Sequence, residues 1–288
     1  MKRILLIISI IVFALTGNAQ IQMWLGGQTE GGGAGTGLLD QHPGAAAAYA
    51  LVNLTDSWAT NDVVLVRRDS DNAELGFTAD ELSDGTLEAW VGAGDGFVKT
   101  WYDQSGNAIN INIATNADQS KIVEGGVIIT DNGNVSLKTP QNATSIMQIP
   151  SWTGSANTSL FFVSSFSTVG NSVKCQLKGD SNSKYVGIYH DGSTTAALDG
   201  SAGSVVYRKN GTIISPANRN EFWDEMVNSE YLLTVSADLS SWIQLNLFYA
   251  AGAVYPVNYL TAMIVYNFDQ SSNYPAIETI IDSIYSIY

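Results

Sequence analysis

One regularity constrains this chain more than any other. From Asp62 onward, short runs rich in β-branched and aromatic residues alternate with clusters of Asn, Asp, Gly and Ser. The runs are 63–66, 97–102, 109–113, 127–129, 159–166, 173–177, 185–189, 204–208, 231–235, 245–249 and 260–268. Between them stand Asp131-Asn132-Gly133-Asn134, Gly179-Asp180-Ser181-Asn182, Asp191-Gly192-Ser193 and Lys209-Asn210-Gly211. Asn-Gly and Asp-Gly supply the positive φ angles of tight hairpin turns. Many short strands at such spacing predict an all-β fold, a sandwich or jelly roll.

The two ends read differently. Lys2 and Arg3, an uncharged stretch over 4–15, and Gly17-Asn18-Ala19 follow the order of a cleavable secretory signal over 1–19. The apolar stretch is short for a bilayer, which takes about 20 residues to span, and no later segment is long and apolar enough. The expectation is a chain that is secreted, extracellular or held at the cell surface, with the periplasm as an alternative, and not inserted in a membrane once the signal is cleaved. A Gly-rich segment over 20–37 follows, without the strand-then-helix setting of a phosphate-binding loop. Pro43 and the alanines after it predict a short helix over 43–52. At the far end Asn273 is a candidate cap and Pro275 fits a first turn. Ile277, Ile280, Ile281, Ile284 and Tyr288 make an apolar helical stripe. Residues 38–288 thus read as a single β-sandwich domain with short N-terminal and C-terminal helices.

Removing the signal takes two of the 13 basic residues and none of the 27 acidic ones. So acidic a surface repels phosphate backbones and anionic lipid, which argues against a nucleic-acid partner. The one cysteine, Cys175, alternates with Val173 and Leu177 and points inward. With only His42 and His190 beside it, no disulfide and no Cys/His metal framework can form within the chain.

Four stretches, LLDQHPGAAAAYAL, VRRDSDNAE, VGAGDGFVKTWYDQSGN and IVYNFDQSSNYPAIETIIDSIYSIY, together resemble the catalytic-domain family of arabinofuranosidase B. The run from Trp101 to Gly106 is the most specific piece. The resemblance implies a concanavalin-A-like, laminin-G-like jelly roll that acts on arabinose-containing polysaccharide. It also implies retaining hydrolysis by two carboxylates about 5 Å apart. The strand that would carry the nucleophile matches 159–166, and the loop that would carry the acid/base matches 247–260. Neither holds Asp or Glu, and the family's vicinal disulfide has no second cysteine here. The resemblance therefore implies a secreted glycan-binding or surface or virion-structural relative without catalysis, with an active α-L-arabinofuranosidase as the alternative. The implied partner is a polysaccharide or cell-surface glycan.

Several residues are candidates on their own chemistry. Glu221, Asp224 and Glu225 flank Phe222 and Trp223, as an acid/base pair beside a sugar-stacking ring would, or as the solvated face of a helical turn would. Trp152 and Trp242 sit in loop-like context. With Trp223 they are candidate platforms for sugar C–H faces, and His190 and Asp191 are candidate polar ligands. Asp69 and Asp71 suggest a calcium loop, yet the sixth and twelfth positions counted from Asp69 are Glu74 and Asp80. The EF-hand register fails at both, leaving a solvated turn and no expected cofactor beyond a weak calcium candidate. Asp103, Gln104 and Ser105 read as turn residues that bond their own backbone.

Overall fold

The computed structural model describes residues 35–140, 147–166, 173–181, 183–190, 192–227, 229–251 and 258–288. The segment 1–19, expected to be a leader, and nearly all of the Gly-rich segment lie outside these.

Strand-forming runs assemble into two large antiparallel sheets and one two-stranded hairpin. The larger follows the order Thr212–Ile214, Gly203–Lys209, Tyr231–Asp238, Thr158–Phe166, Asn258–Tyr266, Leu137–Lys138, Ser120–Glu124, Gly96–Trp101, Asp62–Arg68, Glu74–Thr78. The smaller runs Met147–Ile149, Leu245–Ala251, Val173–Lys178, Tyr185–Tyr189. Leu160, Phe162, Met263 and Val265 of the first sheet share one buried core with Leu177, Val186, Leu245 and Leu247 of the second. Full burial of each such side chain stabilises the fold by about 1.5–3 kcal/mol. This is the predicted sandwich, and Cys175 lies buried within it.

The run at 159–166 does not alternate because its strand is covered twice. All nine residues of Thr158–Phe166 are buried. Leu160 and Phe162 face the sandwich core, while Phe161 and Val163 face a second core closed by Leu38, Leu39 and the C-terminal helix. That helix, Tyr274–Tyr285, carries Pro at its start and buries Ile277, Ile281 and Tyr285. Arg208 clamps it with two 2.8 Å hydrogen bonds to the buried Glu278, which also accepts from Thr234. Two details differ from the sequence reading. Tyr288 is outside the stripe and 55% exposed, and the Asn273 side chain donates to Gln270 Oε1 instead of capping the helix.

A larger correction concerns 43–52. Only Leu38–Gln41, ahead of Pro43, is helical, and Ala47–Ala50 is a strand paired with Asn258–Tyr266. Its four residues are completely buried. Small side chains let it lie between the two cores, and that burial overrides the helical preference of alanine. Two Asn-Gly turns behave as predicted. Asn132-Gly133 and Asn210-Gly211 all adopt positive φ and close hairpins between Thr130–Asp131 and Asn134–Val135, and between Gly203–Lys209 and Thr212–Ile214.

Candidate ligand-binding groove

Of the residues singled out in sequence, only the three carboxylates of one helix come together. Glu221, Asp224 and Glu225 ride on the helix Arg219–Met226 and line a concavity of about 400 Å³ with Ile213, Ile214, Ser215 and Pro216. Glu221 accepts from the Ala217 backbone N–H at 2.7 Å and from the Asn218 amide at 2.8 Å. Asp224 accepts from Asn220, and Glu225 lies 3.5 Å from Lys209 Nζ. Trp152, Trp223 and Trp242 are not sugar platforms at the surface. They are 2%, 5% and 0% exposed and belong to the sandwich core. Large rings are drawn there because they remove the most apolar area from water. His190 is half-buried against the start of the same helix, its backbone N–H donating to the Arg219 carbonyl. Asp191 lies outside the described residues.

Asp69 and Asp71 turn to separate partners. Asp69 accepts from the Asp95 backbone N–H, and Asp71 takes a two-pronged contact from Arg68 at 2.8 and 2.7 Å. Arg68 holds the Asp71 carboxyl down at about 2. Among the described residues no group of three or more His, Cys, Asp or Glu is placed to hold a metal ion. Asp103 and Gln104 form a latch. Asp103 is fully buried and accepts from the backbone N–H groups of Ala48, Ser105 and Ile109 and from the Ser105 hydroxyl. Gln104 accepts from Leu54 N–H and donates to the carbonyls of Ala50 and Val52. Together with Trp101, which also donates to Ala50, they pin the N-terminal strand and the turn after it.

A different set of side chains shapes a second concavity. Strand register puts Arg67 opposite Phe97, Phe97 opposite Lys121, Lys121 opposite Lys138, Lys138 opposite Tyr259 and Tyr259 opposite Ser165. Alternation keeps Val66, Val98, Ile122 and Leu137 in the core, so this row stands on the other face of the sheet. Its first four residues, Arg67, Phe97, Lys121 and Lys138, floor a groove of about 620 Å³ lined also by Asn116, Gln119, Glu124 and Thr139, within the usual range of ligand pockets. The Arg67 guanidinium lies 4.7 Å from the Phe97 ring centre and donates to Gln119 Oε1 at 2.8 Å and Asn72 Oδ1 at 2.9 Å. Lys121 sits 2.7 Å from Asp95 and 2.9 Å from Glu124, and Lys138 is 2.6 Å from Glu124. Hydrogen bonding to Asp95 raises the Lys121 ammonium pKa, and hydrogen bonding from Lys138 lowers that of Glu124.

At the Ser165 end of the same row are two further carboxyls. Glu230 is buried and accepts from Asn134 at 2.9 Å and Thr261 at 3.0 Å. Burial raises its pKa, and the charge of Asp131 raises it further. Asp131, supported by Ser165, is likewise raised by burial.

These groove and carboxyl residues were not foreseen, because their only shared sign in the sequence is basic or acidic residues at the ends of short strands. Register, which sequence does not display, brings them together.

The sandwich resembles solved structures at the level of backbone. A GH54 α-L-arabinofuranosidase soaked with a cyclic sulfate inhibitor superposes with a TM-score of 0.51 at 11% identity, over 85% of this chain. An arabinofuranosidase complexed with arabinofuranosyl-α-1,2-xylobiose gives 0.51 at 10% identity over the same share. The fold is shared with the GH54 arabinofuranosidases. It is a jelly-roll-like β-sandwich, and the match spans 64% of the length of those chains. No family model matches this sequence, nor does any curated protein. Between this chain and the GH54 enzymes the common element is the sandwich.

Proposed function

We propose that this chain is a secreted β-sandwich that binds glycan through the groove of Arg67, Phe97, Gln119, Lys121 and Lys138 and does not cleave it. The groove carries the reading: it has the volume of a small saccharide and is lined by amide, hydroxyl, ammonium and guanidinium groups, the donors and acceptors that sugar hydroxyls use. The GH54 structures support it, since one of them holds an arabinofuranosyl-xylobiose on the same fold. The carboxylates first suspected of catalysis also support it, because each is engaged by a neighbour: Glu221 accepts from the Ala217 N–H and the Asn218 amide, Asp224 accepts from Asn220, and Glu225 lies 3.5 Å from Lys209. Two assays test it together. The chain is expected to be retarded in gels containing arabinan or xylan and to release no chromophore from 4-nitrophenyl α-L-arabinofuranoside. Turnover of that substrate, or free migration through every glycan gel, would overturn the reading.

A second reading rests on Asp131 and Glu230. Retaining hydrolysis needs one carboxyl that stays protonated and one that ionises, about 5 Å apart, and a neighbouring charge that raises one of the two is how such roles are separated. If the chain does hydrolyse arabinofuranosides, Glu230→Gln and Asp131→Asn should each abolish turnover, and Glu221→Gln should leave it unchanged.

A further inference from the structure

We infer that the groove selects an acidic sugar, with Arg67 receiving the carboxylate of a uronic-acid residue. The inference rests on the glycan-binding reading above and narrows it to a ligand class. Arg67 is 7% exposed and lines the groove. Both hydrogen bonds described for it go to neutral amide oxygens, Gln119 Oε1 and Asn72 Oδ1, and it forms no ion pair among the described residues. Its neighbours contrast with it. Arg68 has Asp71, Lys99 has Glu74, Lys121 has Asp95 and Glu124, and Lys138 has Glu124.

Carboxylates outnumber cations in this chain by 27 to 13, yet among the described residues none is placed on the most buried cation of the sheet face. A buried charge without a counter-charge is destabilising unless something supplies one. The guanidinium is held over Phe97 and steadied by two amides. It is a planar fork, which matches a carboxylate better than a point charge does. Across the groove floor Lys121 and Lys138 share the single lining carboxylate Glu124, with Asp95 bonded to Lys121. The lining therefore stays net cationic within a molecule of net charge −14. An approaching uronate would meet attraction here and repulsion over most of the remaining surface.

The test is affinity electrophoresis of the full chain at neutral pH and low salt. Four matrices are compared: polygalacturonate, the same polymer fully methyl-esterified, neutral arabinan, and polyglutamate as an acidic polymer without sugar. Retention on polygalacturonate is expected to exceed that on the ester by roughly tenfold or more, the scale of one charge-assisted contact pair. Arg67→Gln should remove that difference, and Lys138→Gln, a change at a more exposed residue, should reduce it. A thermal melt of each variant separates lost binding from lost folding. Equal retention on the acid and its ester would overturn the acidic-sugar inference and leave glycan binding standing. Retention on polyglutamate equal to that on polygalacturonate would also overturn it, showing a polyanion surface. Failure on every glycan, arabinan included, would remove the glycan-binding reading itself.

Discussion

Two polar sites in this sandwich lie only a few strands apart and are built on opposite principles. In the latch of Asp103 and Gln104, each buried side chain is surrounded by donors and acceptors from its own chain, chiefly backbone N–H and C=O groups. In the groove, Arg67 is nearly as buried but is left with two neutral amides and, among the described residues, no opposite charge. A closed set of hydrogen bonds serves folding, because breaking any one strands a buried partner. An open one contributes little to folding and is free to meet a ligand. The comparison also explains why the segment most like arabinofuranosidase B, from Trp101 to Gly106, is architectural here: it ties down a strand, and that task belongs to the fold rather than to an activity.

Removing Asp103 should have the largest effect. Asp103→Ala strips the acceptor from three backbone N–H groups and one hydroxyl at a fully buried position, and is expected to cost about 3–5 kcal/mol in urea unfolding. Whatever fraction stays folded should bind glycan as the parent does. Loss of binding without loss of stability would erase the distinction between the sites. Arg67→Met is the mirror experiment. It replaces a desolvated charge by an apolar chain of similar length, so the melting temperature should stay within about 3 °C of the parent, while retention on polygalacturonate falls about tenfold or more. A melt lowered by much more than that would place Arg67 with the latch.

The layout of the sandwich was legible in the sequence because turn chemistry and β-branched runs are local. Asn132-Gly133 and Asn210-Gly211 turn where they were expected to, and the strand Tyr185–Tyr189 has the predicted ends. Ala47–Ala50 was misread since its strand character comes from Asn258–Tyr266 beside it, not from alanine. Trp152 and Trp242 were misread for a related reason: polar neighbours in sequence say nothing about which wall a ring meets after folding. The groove was illegible altogether. Arg67, Lys121 and Lys138 are 54 and 17 residues apart in sequence, and only the register Arg67–Phe97–Lys121–Lys138 puts them in a row.

A smaller effect tests the far end of that row. Glu230 has a raised pKa in the folded chain, so its contribution to stability is fully present below the unfolded value, near 4.5, and is lost as pH rises through the folded one. Asp131 acts in the same direction. The melting temperature should therefore decline from pH 4.5 upward more steeply in the parent than in Glu230→Gln, which cannot ionise. Parallel curves would mean that Glu230 is solvated and belongs with the open groove.

The mildest change probes how the groove keeps Arg67 ready. Phe97 lies 4.7 Å beneath the guanidinium and is half-buried, with Lys121 at 5.8 Å from the same ring. Phe97→Leu keeps an apolar contact for the side chain but removes the negative ring face, a loss of about 1 kcal/mol at a partly desolvated site. Because Gln119 and Asn72 still hold two of the N–H groups, the guanidinium should remain in place but be oriented less firmly. Binding to polygalacturonate should then weaken roughly fivefold, with arabinan binding unaltered. If both ligands weakened equally, Phe97 would be contacting sugar itself rather than orienting the charge. The groove would then resemble an aromatic platform more than an anion fork.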